Sequence, residues 1–62
     1  MYKVIRRYYQ VTHGDITPKI EVIGWAHSPQ AIETHVAAYK LNHPGWELDG
    51  SEFSHEDYPN DP

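Results

Sequence analysis

Histidines are the side chains of this 62-residue chain that most readily suggest chemistry, because a neutral imidazole is a common metal ligand. The five are His13, His27, His35, His43 and His55. His35 and His43 are eight residues apart, so on a helix they would be separated by ~12 Å, too far to share a zinc ion. We predict no metal site and no cofactor, and interpret the histidines as surface or capping residues. Loose metal binding by the acidic neighbourhoods of His13 and His55 is the alternative.

Catalysis has little support among the remaining residue types. The chain has no cysteine and no G-x-S-x-G motif, and Ser28 is explained by helix capping because Pro29 follows it. Carboxylates are concentrated in the last third of the chain, where we expect a strand and a tail rather than the walls of a cleft. A domain this small rarely encloses the roughly 300–1,000 Å³ of a ligand site. We therefore predict that the protein is not an enzyme and has no catalytic residues.

Charge is distributed unevenly along the chain. Residues 1–46 hold five basic and three acidic side chains, whereas residues 47–62 hold six acidic and no basic ones, so the net charges are +2 and −6. An acidic end disfavours general nucleic-acid binding, which draws on clustered Lys and Arg. The acidic end could meet a basic partner, fold back on Arg6 and Arg7, or act only to keep the chain in solution.

The first half of the chain predicts a β-hairpin. Residues 2–12 are rich in Tyr, Val and Ile without Gly or Pro, and residues 19–27 begin with alternating polarity. The segment 13–18 contains Gly14 and Pro18 and is typical of a loop. Gly24 interrupts the second strand and predicts a bulge or a close approach of another part of the backbone.

The second half predicts a helix, a third strand and a tail. Ser28-Pro29 is a helix start and Asn42-His43-Pro44-Gly45 is a stop, which bounds a helix over 29–42. Residues 46–53 alternate as a strand, with Trp46 and Leu48 predicted to lie in the core under the helix.

This pattern predicts a small α+β domain of β-β-α-β order. Its three-stranded antiparallel sheet would carry the helix on one face. The domain would comprise residues 1–53, followed by an acidic, proline-containing tail over 54–62.

A single helix leaves the other face of such a sheet uncovered, and that face shapes our functional hypothesis. Apolar side chains fall on both sides of the two predicted strands, which indicates either a bulge that switches faces, isolated exposed residues, or a binding surface. We favour a non-enzymatic module that binds a protein partner, with a homodimer as one form of this. Its predicted partner-binding residues are Arg6, Tyr8, Tyr9, Trp25, Glu52, Glu56 and Asp57.

Two short segments resemble known proteins. Tyr2-Lys3-Val4 and Gly45-Trp46-Glu47-Leu48 resemble the YKV start and GWEL element of a group of short bacterial and phage proteins with no established activity. The resemblance implies the same β-β-α-β order and no active site, and it suggests a phage or mobile-element accessory protein that binds a host protein. The segment Asn42-His43-Pro44 departs from that group, which has a small-residue turn there.

The alternative hypothesis is a small single-stranded nucleic-acid-binding protein, which we consider less favoured. It would stack bases on the aromatic rings and bind phosphates through arginines, using Arg6, Arg7, Tyr8, Tyr9 and Trp25. Two adjacent arginines make a small electrostatic footprint in a chain of net charge −4.

No apolar run approaches the ~20 residues of a membrane span, and no secretory signal is visible. The lack of cysteine fits a reducing compartment, so we expect a cytoplasmic protein without membrane contact.

Overall fold

The computed structural model describes residues 1–59 as a three-stranded antiparallel sheet with one α-helix. The elements in chain order are β1 (Tyr2–Thr12), β2 (Asp15–Ala26), α1 (Pro29–Asn42), a 3₁₀ helix (Trp46–Asp49) and β3 (Glu52–Asp57). The sheet order is β2-β1-β3, with β1 in the centre. This confirms the predicted α+β class and β-β-α-β order. Residues 60–62, the end of the predicted tail, lie outside the described residues.

The β1–β2 hairpin turns on only two residues. His13 and Gly14 have φ angles of 52° and 84°, and Thr12 pairs directly with Asp15. Positive φ at both central positions is the requirement of a tight type I′ turn. The prediction of a loop over 13–18 and of a strand starting at 19 was therefore wrong. Pro18 is tolerated inside β2 because β2 is an edge strand, where the missing N–H can face away from the sheet.

A bulge in β2 confirms the prediction made at Gly24. Val4 pairs with Gly24 but Ile5 pairs with Val22, so Ile23 is an extra residue in β2. Gly24 also meets the helix closely, because a Cβ built on it would lie 2.6 Å from His35 Nδ1. The bulge changes which residues of β2 share a face: Gly24 lies toward α1, whereas Val22 lies on the opposite face together with Ile5.

Helix α1 begins and ends where its local sequence predicts. The hydroxyl of Ser28 accepts a hydrogen bond of 3.2 Å from the Ala31 amide, and Pro29 occupies the first turn. The His43 amide donates to the carbonyl of Tyr39 and closes the last turn. Within α1, which the structure describes in full, no side chain is completely buried. The helix packs mainly across β2, and its Tyr39 ring meets Phe53 of β3 edge-on at 5.8 Å.

The third strand starts later than predicted. Gly45 and Gly50, with φ angles of 87° and 72°, bracket the 3₁₀ helix and interrupt any extended run from Trp46. The strand covers Glu52–Asp57, so the first residues of the predicted tail belong to the sheet. Two backbone hydrogen bonds between Met1 and Tyr58, of 2.8 and 2.9 Å, continue this pairing past the strand end.

Trp46 and Leu48, the two residues predicted to lie in the core, differ in their burial. Leu48 is 87 % exposed, so its assignment to the core was wrong. The reason is that a 3₁₀ turn does not alternate its side chains as a strand does. Trp46 is half-buried, with its ring 5.5 Å from that of Phe53.

The core of the described chain is small. Its buried apolar side chains are Val4, Ile5 and Ala26. β3 pairs with β1 only as far as Arg7, so residues 8–19 form a two-stranded arm that extends beyond the helix and β3. The radius of gyration is 12.9 Å, whereas a compact chain of this length would have about 10.6 Å. The molecule is therefore elongated along the hairpin.

Candidate interaction surface

The sheet has one face without a helix, which we call the open face. Directly paired residues share a face of an antiparallel sheet, and Gly24 defines the side covered by α1, which we call the helix side. The open face therefore consists of Lys3, Ile5, Arg7, Tyr9 and Val11 of β1, Ile16, Pro18, Ile20, Val22 and Trp25 of β2, and Glu52, Ser54 and Glu56 of β3.

The open face collects most of the exposed apolar surface of the described residues. Six of the eight large apolar side chains that are exposed lie on it, namely Tyr9, Val11, Ile16, Ile20, Val22 and Trp25. These six are between 40 % and 70 % exposed, and the other two, Leu41 and Leu48, lie outside the sheet. From the Lys3–Trp25 pair to the Val11–Ile16 pair the patch spans about 30 Å. A continuous apolar strip of this kind is typical of a binding surface.

A groove of about 400 Å³ lies where β3 begins, lined mainly by open-face residues, with Tyr8 and Lys19 of the helix side also in its wall. Its lining residues are Arg7, Tyr8, Tyr9, Pro18, Lys19, Ile20, Gly50 and Glu52. Gly50 allows the Tyr9 ring to lie against the backbone, since a Cβ at Gly50 would be 3.0 Å from Tyr9 Cδ2. The groove thus combines two tyrosines, Tyr8 and Tyr9, with two basic residues, Arg7 and Lys19, and one acidic residue, Glu52.

One end of the open face is closed by residues of its own chain. Lys3 Nζ lies 3.4 Å from Glu56 Oε2 and 5.3 Å from the centre of the Tyr58 ring. The Tyr58 hydroxyl donates to Glu56 Oε2 at 2.8 Å, and its ring lies 5.6 Å from that of Trp25. The hydrogen bonds from Tyr58 and Lys3 lower the pKa of Glu56. The charges of Lys3 and Glu56 at this end therefore balance each other.

Arg6 lies on the helix side and is 7 % exposed, which corrects its prediction as part of an uncovered binding surface. Its guanidinium donates to Glu21 Oε2 at 2.7 Å and to Asp49 Oδ2 at 3.0 Å. Desolvation opposes the charged form, but the bonds to Glu21 and Asp49 outweigh it and raise the pKa of Arg6. The guanidinium also stacks on the Tyr8 ring, 3.8 Å from its centre. This group ties β1, β2 and the 3₁₀ helix together.

The carboxylate of Asp49 is held in its charged form by hydrogen bonds that include one from Arg6. The Ser51 hydroxyl and then the Arg6 guanidinium hydrogen-bond to its carboxylate and lower its pKa. Because Ser51 also accepts from Arg6 at 3.0 Å, the segment between the 3₁₀ helix and β3 is held against the sheet.

The structure divides the predicted partner-binding residues between the two faces. Tyr9, Trp25, Glu52 and Glu56 lie together on the open face. Arg6 and Tyr8 lie on the helix side, and Asp57 joins them there through its pairing with Tyr2.

Sequence reasoning missed the aliphatic part of the patch. Ile16, Pro18, Ile20 and Val22 alternate strictly with the polar residues Asp15, Thr17, Lys19 and Glu21. That period of two enters the predicted strand only from Lys19 onward, because the predicted loop over 13–18 leaves Ile16 and Pro18 outside the strand.

The histidines make local contacts. His35 Nε2 donates to the carbonyl of Trp25 at 3.0 Å, and His43 Nδ1 donates to the carbonyl of Tyr39 at 3.0 Å. The ring of His55 meets Tyr2 edge-on at 5.5 Å. Over residues 1–59, no group of three or more His, Cys, Asp or Glu side chains is placed to hold a metal ion.

Comparisons of the chain with protein-family models, curated proteins and solved structures find no match. Among the described residues, no helix is long and apolar enough to cross a membrane.

Proposed function

We propose that this chain is a non-enzymatic protein-interaction module that binds another polypeptide through the open face. The observation that carries the proposal is the collection of exposed apolar side chains on one side of one sheet. Binding there would remove from water the apolar surface of a strip about 30 Å long. The burial of apolar surface is the main driving force of protein association. Tyr9 and Trp25 are of the types that anchor such interfaces.

The charges of the open face favour a polypeptide over a nucleic acid. Phosphate binding requires several cations that are free to meet a backbone. Lys3 is already paired with Glu56, and Arg6 is buried on the helix side between two carboxylates. Arg7 adjoins Glu52 through their register pairing. Of the two basic residues that we considered for the nucleic-acid alternative, Arg6 is thus neutralised within the fold, and only Arg7 is exposed on the open face.

Acidic residues along β3 would act at the rim of the interface. Glu52 and Asp57 are exposed, whereas Glu56 is engaged by Lys3 and Tyr58. Charges at a rim mainly change association rates and salt dependence rather than the final affinity. We therefore assign Glu52 a rim role on the open face and Asp57 a weaker one, because it lies on the helix side.

Site-specific photo-crosslinking tests the proposal. A benzophenone amino acid in place of Tyr9 should form covalent adducts with a polypeptide in extracts of the producing cells, including adducts between copies of this chain. The same photoreactive residue in place of Leu48, which is exposed away from the sheet, is the matched control and should form few. Introducing Ile20→Asp into the Tyr9-substituted protein should abolish the adducts.

The contrary outcome is equally specific. If the Tyr9 position forms no polypeptide adduct, while single-stranded RNA or DNA binds at about 50 mM salt with a steep fall in affinity as salt rises, the nucleic-acid alternative replaces this proposal.

A further inference from the structure

We infer that the polypeptide bound by the open face is a second copy of this chain, so that two sheets pack face to face in a homodimer. This inference rests on the proposed function and names its partner.

The small core is the first reason. A chain of about 60 residues is marginal when it folds alone, and chains of this size commonly depend on disulfides, metals or oligomerisation. This sequence has no cysteine, and the buried apolar side chains of its described part are Val4, Ile5 and Ala26. Of these three, Ile5 lies on the open face, and Val4 and Ala26 lie on the helix side.

The arm is the second reason. A two-stranded hairpin in water is marginally stable, and residues 8–19 are such a hairpin with Tyr9, Val11 and Ile16 exposed on one face. If the hairpin needs another molecule to cover its apolar face, that molecule must be present whenever the chain folds. A second copy meets that condition, because it is synthesised with the first.

The area of the patch comes close to the lower limit for a specific dimer interface. Nine residue pairs along the strands and two to three strands across give roughly 30 Å by 15 Å, or about 450 Å² from each copy. A specific interface takes about 500 Å² or more from each partner. Antiparallel sheets can stack in this way about 10 Å apart, with the inner side chains of both sheets forming one core.

The charge of the patch fits a copy of itself. The charged residues of the open face are Lys3, Arg7, Glu52 and Glu56, which sum to zero, although the chain as a whole carries −4. A strongly basic partner would find no matching charge on this face. Two neutral faces related by a two-fold axis meet without net repulsion, as an isologous interface requires.

Light scattering on the wild-type protein over a wide concentration range tests the inference. We expect a particle of twice the 7.2 kDa chain mass that dissociates on dilution. Ile20→Asp, at a site that is 65 % exposed in the single chain, should raise the dissociation constant at least tenfold. The matched control is Leu48→Asp, which places the same carboxylate at an exposed leucine off the sheet and should leave the mass unchanged.

A second measurement keeps the test valid if Ile20→Asp fails to fold. The thermal midpoint of a wild-type dimer rises with protein concentration, whereas that of a monomer does not. A midpoint independent of concentration, with a single-chain mass throughout, would overturn the inference. A dimer that Ile20→Asp leaves intact would overturn it as well, because the copies would then meet through another surface.

The two proposals fail in different ways. If the protein is a monomer and its Tyr9 position still crosslinks to another polypeptide, the proposed function holds and only the homodimer is ruled out. A monomer without such adducts removes both.

Discussion

Arg6 is the residue that most clearly separates the two sides of the sheet. Its side chain is buried, whereas that of its neighbour Arg7 is exposed on the open face. The carboxylates of Glu21 and Asp49 balance its charge, and both are about two-fifths exposed, so water screens part of each pairing.

Replacing Arg6 should therefore be far more harmful than replacing Arg7. We expect Arg6→Met to lower the free energy of unfolding by about 1–3 kcal/mol, because it removes the hydrogen bonds to two carboxylates and the stack on Tyr8. Arg7→Met should change it by no more than about 0.5 kcal/mol. Urea unfolding of both variants measures the difference, and equal effects would show that the Arg6 group does not stabilise the fold.

The lowered pKa of Asp49 predicts that the fold loses stability in acid. Its pKa is lowered from its ordinary 3.8, mainly by the Ser51 hydroxyl and then by Arg6. A carboxylate with a lowered folded pKa contributes stability that is fully present above the unfolded value and is lost as pH falls through the folded value. Stability should therefore fall as pH drops below about 4.

The variant Asp49→Asn isolates this contribution. It should be less stable than wild type at pH 7 and should lose less stability between neutral and acid pH, as followed by urea midpoints at each pH. Glu33→Gln, at an exposed helix position, is the control and should keep the wild-type acid profile. An unchanged profile for Asp49→Asn would argue against the role assigned to this carboxylate.

At the scale of elements, the contact between β2 and α1 depends on the absence of a side chain at Gly24. A Cβ there would overlap the His35 ring, which is itself bonded to the carbonyl of Trp25. We expect Gly24→Ala to destabilise the fold by about 1–3 kcal/mol through this overlap.

A double-mutant cycle makes the test specific. In the background His35→Ala, the effect of Gly24→Ala should shrink markedly, because the ring it meets is gone. Gly14→Ala is a control of a different kind: its turn position has φ of 84° and open space around it, so its cost should be independent of His35. Equal effects of Gly24→Ala in both backgrounds would place the strain in the bulge backbone instead.

The 3₁₀ helix has one side chain that packs and one that does not. Trp46 contacts Phe53 and lies beneath Lys40 Nζ at 4.5 Å, whereas Leu48 is almost fully exposed. Trp46→Ala should lower the free energy of unfolding by about 1–2 kcal/mol, less than for a fully buried tryptophan. Leu48→Ala should change it by at most about 0.5 kcal/mol. Thermal unfolding followed by circular dichroism would test this ranking, and the reverse order would contradict the packing described for Trp46.

At the scale of the whole molecule, stability should be graded along the hairpin. The backbone around Val4 and Ile5 lies in the centre of three strands under the helix, whereas residues 8–12 have β2 on one side only. Native-state hydrogen exchange should therefore be slowest near Val4 and faster in the arm.

The proposed homodimer would add a concentration dependence to that gradient. Protection of the arm amides should increase with protein concentration, while the relative order within the sheet stays the same. Arm protection that does not respond to concentration would indicate that the hairpin is stable without a cover.

The features that could be predicted from the sequence are those that depend on residues close together in the chain. Ser28 followed by Pro29 caps a helix wherever it occurs, and Pro44 prevents continuation, so both ends of α1 were located correctly. The three strands were predicted in number and in chain order, the first two from local patterns and the third from an alternation over 46–53 that overlaps β3 only at Glu52 and Phe53. The end of the hairpin and the start of β3 were misplaced, because Pro18 and the glycines around the 3₁₀ helix take their meaning from sheet order and turn geometry.

By itself, the sequence determined that this chain is a β-β-α-β domain with a capped helix and a sheet face left uncovered. Only the tertiary structure decided which residues occupy that face. One extra residue, Ile23, shifts the alternation of β2 and moves Val22 away from the side of Gly24. Arg6 is buried because Glu21 and Asp49, which are 15 and 43 residues away, converge on it. Register and convergence are long-range properties, and no local pattern contains them.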